Sequence, residues 1–106
     1  MTTYYYLVAS QKFLFEEEPL EEVFKERVRD YQDKGKEIDF WQVKQPAFLE
    51  TPAFAEIKAK TPQPAAAILS LNEQFITWLK LRLEYVVTGE FEAPSPSIPD
   101  PLASKA

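Results

Sequence analysis

The strongest hydrophobic pattern in the chain lies between Asn72 and Thr88, in the sequence NEQFITWLKLRLEYVVT. At about 100° per residue, many of its apolar side chains fall on one broad helical face. Ser70 or Asn72 would cap the start of this helix, and it would end near Gly89. The face that we expect to enter the core contains Phe75, Ile76, Leu79, Leu83, Val86 and Val87.

A second apolar stripe lies beside this face. It contains Trp78, Leu81 and Tyr85, with Arg82 at the seam between the two stripes. A helix on the surface of a small domain normally shows one apolar stripe. Two adjoining stripes therefore indicate either burial on two sides or an exposed patch that a partner covers. Both interpretations are open from the sequence.

Several other stretches read as strands. Thr2 to Ser10 is rich in β-branched and aromatic residues, and both of its faces are apolar or amphipathic, which is typical of a central strand. Glu37 to Lys44 alternates as a second strand, and Ala65 to Ser70 is a short apolar run that predicts a buried third strand. Glu90 to Glu92 would add a short edge strand through Phe91.

Two further helices are predicted before the long one. Pro19 to Lys34 has apolar residues at 3, 4 spacing, from Leu20 to Tyr31, with acidic residues near its start and Gly35 as a left-handed end. Pro46 to Lys60 begins as a loop and predicts a short helix with Thr51 as its N-cap. Gln11 to Glu18 fits either a short hairpin arm or a loop that packs two Phe rings.

The order of these elements is strand, helix, strand, short helix, strand and long helix. It predicts an α+β fold, with three or four strands covered by helices. The 106 residues suffice for one small domain, which we expect to occupy residues 1–92. From residue 93 the sequence APSPSIPDPLASKA is rich in proline and has little to bury, so a flexible tail is expected over residues 93–106.

The composition argues against several classes of site. The chain contains no Cys and no His, so it lacks thiolate chemistry, the commonest general base and the commonest metal ligand. A net charge of −5 argues against unaided nucleic-acid binding, which needs a basic surface. No signal-type segment or run of about 18 apolar residues is seen, so a soluble protein of a reducing compartment is expected.

Three stretches carry a family resemblance: TTYYYLVASQKFL, GKEIDFWQVKQPAFLE and FITWLKLRLEYVVTGEFEAP. From Thr2 to Pro94 the chain resembles the accessory protein of the magnesium-protoporphyrin IX monomethyl ester oxidative cyclase of cyanobacteria and chloroplasts. This family is called hypothetical chloroplast reading frame fifty-four. The resemblance implies a small antiparallel sheet flanked by helices. It also implies a non-catalytic protein that supports the assembly, stability or activity of the cyclase in chlorophyll biosynthesis.

The same resemblance implies a partner and a location. The expected partner is the separate, membrane-associated catalytic subunit of the cyclase, and no cofactor or metal is expected. The expected location is the cyanobacterial cytoplasm or the plastid stroma, with recruitment to the thylakoid membrane through the partner. An oxygen-activating di-iron site needs carboxylates together with His, so the absence of His agrees with a non-catalytic role.

Two of the quoted motifs, IDFW and WLKLRLEYV, contain residue types that dominate protein interfaces. Each residue also has a structural interpretation: both Trp residues and Phe40 would suit the core, and Arg82 would stack on Trp78. Asp39 would lie at a wet strand edge or pair with Arg82. The predicted partner-binding surface consists of Asp39, Phe40, Trp41, Trp78, Arg82 and Tyr85.

Three alternatives stay open. An aromatic cleft with Arg82 or a Lys at its rim would suit a small tetrapyrrole-binding carrier or chaperone in the same pathway. Carboxylates alone would allow an acid–base enzyme, although nothing else in the sequence supports one. An apolar patch without its partner would also pair with itself, giving a dimer in concentrated solution or in a crystal.

Overall fold

A single antiparallel sheet organises the protein. The computed structural model describes residues 1–17, 20–84 and 86–105. Within these residues, the strands β1 (Thr2–Ser10), β2 (Phe40–Lys44), β3 (Ala65–Ser70) and β4 (Val87–Ala93) lie in the order β2-β3-β1-β4. The accompanying α-helices are α1 (Glu21–Lys34), α2 (Ala55–Lys60) and α3 (Glu73–Arg82). The predicted α+β class and antiparallel sheet are confirmed.

β1 and β3 form the middle of the sheet and pair with each other, with Leu7 opposite Ile68. Successive side chains of a strand point to opposite faces. β1 therefore contributes to two apolar cores, with Leu7 and Ala9 on one face and Tyr6 and Val8 on the other. Every residue of β3 is buried. The predictions of a central first strand and a buried third strand are confirmed.

Helices α1 and α3 cover the first face. α1 ends at Gly35, whose φ of 66° is the left-handed conformation that glycine adopts without strain. α3 begins after Asn72, whose Oδ1 accepts a hydrogen bond from Phe75 N at 3.2 Å. These caps agree with the sequence, whereas Pro19, the expected start of α1, lies outside the described residues.

The third helix is shorter than predicted. It ends at Arg82, and Leu83 already has an extended backbone, with φ −107° and ψ 149°. The chain then pairs with β1 as β4, which begins at Val87. β-branched residues favour strands over helices, and Val86, Val87 and Thr88 follow one another here. The helix predicted to reach Thr88 is therefore corrected, and the predicted edge strand starts earlier than expected.

The residues between β2 and β3 cover part of the second face. Turns of 3₁₀ helix at Ala47–Glu50 and Pro52–Phe54 lead into α2. They place the rings of Phe48 and Phe54 at 5.8 Å and 5.6 Å from the ring of Tyr6. Thr51 lies between the two turns, at the expected position before Pro52, but its hydroxyl donates to the Phe48 carbonyl at 2.9 Å instead of capping a helix.

The C-terminal segment covers the rest of the second face. Ile98 is 6% exposed within the second apolar core. The backbone N–H groups of Ala47 and Lys105 donate to the carbonyls of Ala103 and Gln45, each at 2.9 Å. A buried side chain and backbone pairing therefore hold this segment against the domain. This corrects the boundary at residue 92, because the proline-rich sequence was expected to extend away as a flexible tail.

Three smaller features complete the fold. The stretch from Gln11 to Glu18 contains a turn of π-helix at Phe13–Glu17, while Glu18 itself lies outside the described residues. The second strand starts at Phe40, later than its predicted start at Glu37. In the part of the chain that the structure describes, none of the helices has the length and apolarity needed to cross a bilayer.

Candidate functional site

Helix α3 divides its side chains between the core and the solvent. Its core face is buried, whereas Trp78 is 47% exposed and Leu81 is 82% exposed. The exposed Arg82 places its guanidinium carbon 5.5 Å from the centroid of the Trp78 ring, which is a cation–π arrangement. We call Trp78, Leu81 and Arg82 the α3 patch. The second apolar stripe predicted either burial on two sides of the helix or an exposed patch. The structure shows an exposed patch at these three residues.

Stacked rings connect the α3 patch to the core. The ring of Trp78 lies 6.4 Å from the ring of Phe75, at an interplanar angle of 15°. Arg27 of α1 places its guanidinium carbon 3.8 Å from the Phe75 centroid and 5.2 Å from the Phe40 centroid. The Nε atom of Arg27 is buried without a hydrogen-bond partner among the described residues. The aromatic rings therefore supply part of the stabilisation that this cation loses on leaving water.

Arg27 also begins a hydrogen-bonded chain that ends at Asp39. Its Nη2 donates to Tyr31 Oη at 2.9 Å, and Tyr31 Oη donates to Asp39 Oδ1 at 2.8 Å. Burial and the hydrogen bond to Asp39 raise the pKa of Tyr31, and Arg27 opposes this increase. The phenol therefore stays protonated at neutral pH and holds the Asp39 carboxylate just before β2. We call Arg27, Tyr31 and Asp39 the Arg27 network.

Phe40 belongs to the core instead of the predicted surface. It is 4% exposed, and its ring lies 5.5 Å from that of Phe24 and 5.6 Å from that of Phe75. Its side chain points to the sheet face that α1 and α3 cover, so both helices contribute rings around it. Its assignment to an exposed docking surface is corrected for this reason.

Trp41 follows Phe40 and therefore points to the opposite face of the sheet. It is half-buried, and its ring lies 6.1 Å from the ring of Tyr4 in the second core. The sheet separates Trp41 from the α3 patch, so the predicted residues do not form one continuous surface. Tyr85, the remaining aromatic residue of the prediction, lies outside the described residues.

The structure connects Asp39 to the α3 patch indirectly. The contacts run from Asp39 through Tyr31 and Arg27 to Phe75, and from Phe75 to Trp78. No ion pair joins Asp39 to Arg82 in the described part of the chain. The suggested direct pair is therefore replaced by a chain of contacts through the core.

Arg27 is a residue of this site that the sequence did not indicate. Phe75 was predicted as a core residue and Tyr31 as part of the apolar stripe of its helix, but Arg27 lies in a helix with many charged residues and resembled any solvated side chain. The available signal was its position four residues before Tyr31, because residues at this spacing are neighbours on a helix. The spacing does not reveal that rings from β2 and α3 surround the cation.

The arrangement offers groups for recognition. An exposed indole and guanidinium bind a partner by packing, stacking and hydrogen bonding, and a positioned carboxylate adds charge selectivity. The described residues contain no cluster of three or more acidic side chains that would hold a metal ion. The α3 patch is thus a candidate binding surface, and the Arg27 network lies beneath it.

A family model described as Ycf54 protein matches residues 2–93 of the chain. A Ycf54-like protein from Synechocystis is 71% identical over 104 residues, which cover 98% of this chain and 78% of the relative. A chloroplastic YCF54 protein from Arabidopsis thaliana is 41% identical over 95 residues, covering 89% of this chain and 44% of that protein. The relatives thus include cyanobacterial and chloroplastic proteins.

A solved structure shows the same fold. The X-ray structure of a protein from Nostoc sp. PCC 7120 aligns with a TM-score of 0.97 and 72% sequence identity. The alignment covers 99% of this chain and 97% of that chain. At this level of similarity, the sheet and its helices are a shared architecture.

Proposed function

The chain belongs to the Ycf54 protein family, and on this premise we propose that it is a non-catalytic accessory factor of the magnesium-protoporphyrin IX monomethyl ester oxidative cyclase. In this role it binds the catalytic subunit of the cyclase and supports its assembly, stability or activity in chlorophyll biosynthesis. The α3 patch is the docking surface, and Asp39 contributes a carboxylate in a fixed position.

The observation that carries this proposal is the exposure of Trp78 beneath Arg82. Trp is highly buried on average in folded proteins, yet 47% of this residue is exposed, and the neighbouring Leu81 is 82% exposed. Trp and Arg are enriched among the few residues that dominate binding energy. A partner that covers this patch would remove the indole and Leu81 from water and give the guanidinium new acceptors.

The contact between Arg82 and Trp78 contributes little to folding. An exposed cation–π pair contributes about 0.5–1 kcal/mol, and Arg82 is itself exposed. Replacing Arg82 should therefore leave the fold nearly unchanged, so that an effect on binding can be measured separately. This separation makes Arg82 the best residue for a direct test.

The test is capture of the purified cyclase catalytic subunit by the immobilised protein. Arg82→Ala is expected to weaken capture at least about tenfold, as for an interface residue of moderate importance. Its Tm should change by less than about 4 °C, because the lost contact contributes under about 1 kcal/mol to folding. Lys80→Ala is the control, because it removes an exposed cation of the same helix that lies outside the α3 patch.

The possible results separate the function from the surface. If the wild-type protein does not capture the catalytic subunit, the proposed function is wrong. If the wild-type protein captures it and Arg82→Ala binds as well as Lys80→Ala, the function stands but docking uses another surface.

A further inference from the structure

A groove lies between α1, the π-helical turn at Phe13–Glu17 and the edge strand β2. Its volume is about 620 Å³, which is within the range of about 300–1,000 Å³ for small-molecule sites. The described residues that line it include none of the residues of the α3 patch or the Arg27 network. The groove is thus a separate feature of the surface.

The floor of the groove is apolar. Leu14 and Leu20 are 2% and 4% exposed, and they belong to the first core. Phe24 and Val28 of α1 are half-buried and pack against the same core while lining the groove. A ligand with an apolar body would remove this hydrocarbon surface from water, which is favourable.

The rim carries charge of the opposite sign to the whole chain. Among the described residues, Lys25, Arg29 and Glu21 of α1 line the groove, and these two cations and one carboxylate carry a net charge of +1, against −5 for the chain. Lys25 Nζ pairs with Glu21 Oε1 at 3.2 Å. Arg29 is exposed and has no ion-pair partner among the described residues. Its guanidinium is therefore available to an anion.

A further cation lies next to the wall of the groove. The Nζ atom of Lys44 is 5.0 Å from the centroid of the Phe15 ring, and Phe15 lines the groove. Gln32 and Gln42 add amide groups to the lining. An apolar floor, a free guanidinium and nearby amides are together the usual composition of a site for an organic acid.

We propose that this groove binds a small organic anion whose rigid apolar body covers Phe24 and Val28 and whose acidic group pairs with Arg29. The planar guanidinium presents parallel donors that match the two oxygens of such a group. The positive rim in an otherwise acidic protein selects an anion over a neutral molecule of the same shape. The proposal does not rest on the docking function, because it uses different residues.

The test uses two fluorescent probes that differ in charge. 8-Anilinonaphthalene-1-sulfonate is an aromatic anion, and N-phenyl-1-naphthylamine is its uncharged analogue. The full chain is expected to bind the anion more tightly. Arg29→Gln should weaken binding of the anion by about fivefold, as for the loss of one exposed charge pair, and should change binding of the neutral probe by less than about twofold.

Two further variants make the test specific. Lys34→Gln removes a cation from α1 outside the groove, and it should leave the affinity for both probes unchanged. Gln42→Trp places a large ring on the exposed side of β2. Because this ring fills the groove, it should lower the affinity for both probes at least about tenfold. The Tm of each variant is measured as well, because a loosened fold also binds these dyes.

Two outcomes would overturn the proposal. The first is equal affinity for the anion in the wild-type protein and in folded Arg29→Gln. The second is tight probe binding that folded Gln42→Trp leaves unchanged, because the probes would then lie elsewhere. Neither outcome depends on capture of the cyclase, so failure of the docking function and failure of the groove site are distinguishable.

Discussion

One hydroxyl group, that of Tyr31, joins two charged residues. It accepts a hydrogen bond from Arg27 and donates one to Asp39. Removing one partner of a hydrogen bond, so that the other group is left unsatisfied, costs about 1–3 kcal/mol. Without this hydroxyl, the Asp39 carboxylate would lose the donor that fixes it, and Arg27 would lose an acceptor in a site where its Nε already has none. The position of Asp39 therefore depends on helix α1 as well as on the strand β2 that follows it.

We predict that Tyr31→Phe lowers the free energy of unfolding by about 1–3 kcal/mol at neutral pH, because both partners lose a hydrogen bond. Capture of the cyclase subunit should also weaken, since Asp39 is no longer held. Urea unfolding and capture measure the two effects. Asp30→Asn on the same helix is the control, because it removes only an exposed pair with Lys34. Stability equal to that of this control would contradict the role of the hydroxyl.

A pH dependence follows from the same group. The folded-state pKa of Tyr31 is raised above the ordinary value of 10.0. Above about pH 10 the unfolded chain therefore releases a proton that the folded protein still holds. The contribution of Tyr31 to stability is complete below that pH and is lost as the pH rises through the folded-state pKa. Urea unfolding from pH 8 to 11 should show a smaller loss of stability in Tyr31→Phe than in the wild type; parallel losses would contradict this.

Gly89 provides a separate test of packing at the scale of one atom. A Cβ atom at this position would clash with the Oη and Cζ atoms of Tyr6, which is only 6% exposed. We predict that Gly89→Ala lowers the free energy of unfolding by about 1–3 kcal/mol, because the Tyr6 ring must shift within a packed core. Glu90→Ala, on the exposed side of the same strand, should change it by less than about 0.5 kcal/mol. Equal unfolding midpoints of the two variants would exclude the clash.

These residues show how far the sequence determines individual roles. The helical spacing placed Tyr31 on the apolar stripe of α1, and of the two candidate caps of α3, Ser70 and Asn72, the structure selects Asn72. Gly89 was predicted to end the long helix, which was wrong: it lies inside β4, where pairing with β1 places it under the constraint of the Tyr6 ring. That constraint depends on strand order, which local patterns do not contain.

At the scale of elements, one face of α3 contributes to the stability of the fold and another face to the proposed binding. Phe75 is 5% exposed and contacts the rings of Phe24 and Phe40, whereas Trp78 is 47% exposed. We predict that Phe75→Ala lowers the free energy of unfolding by about 3–5 kcal/mol. Trp78→Ala should lower it by about 1 kcal/mol, since much of the side chain is already in water, yet it should weaken capture of the cyclase subunit.

Thermal unfolding and capture distinguish the two sides of the helix. If Trp78→Ala destabilised the protein as much as Phe75→Ala, the indole would be a core residue and the α3 patch would lose its support. If capture remained normal in a stable Trp78→Ala variant, the docking surface would lie elsewhere.

The hydrophobic periodicity does not predict where α3 ends. Leu83, Val86 and Val87 fit the helical face that begins at Phe75, so the pattern alone extends the helix. In the structure these residues pack in different cores: Leu83 and Val86 in the first, and Val87 in the second. The helix gives way to a strand here because pairing with the edge of β1 supplies hydrogen-bond partners for the backbone groups of β4. By contrast, β1 and β3 were predicted with their observed ends, because strong local patterns agree with their central places.

For the whole molecule, the notable feature is that the sheet is covered on both faces. Helices α1 and α3 close the first face, and the second depends on short helical turns, α2 and the C-terminal segment. Prolines lack the backbone donor, so composition gave no sign that this segment would pair with the domain. Among its described residues, the segment is instead anchored by the buried Ile98, by the partly buried Leu102 and by backbone bonds at its far end.

This arrangement makes Ile98 a test of whether the segment is part of the domain. Ile98→Ala is expected to lower the free energy of unfolding by about 2–5 kcal/mol, as for other buried aliphatic residues, with Ser97→Ala on the exposed side as control. Hydrogen exchange at the Lys105 amide, which donates to Gln45, should accelerate more than exchange in β3, because the segment can detach while the central strands stay paired. Because the α3 patch lies over the other face of the sheet, capture of the cyclase subunit should survive in the folded variant. Unchanged stability with unchanged exchange at Lys105 would mean that the segment contributes nothing to the fold, and the domain would then end at β4.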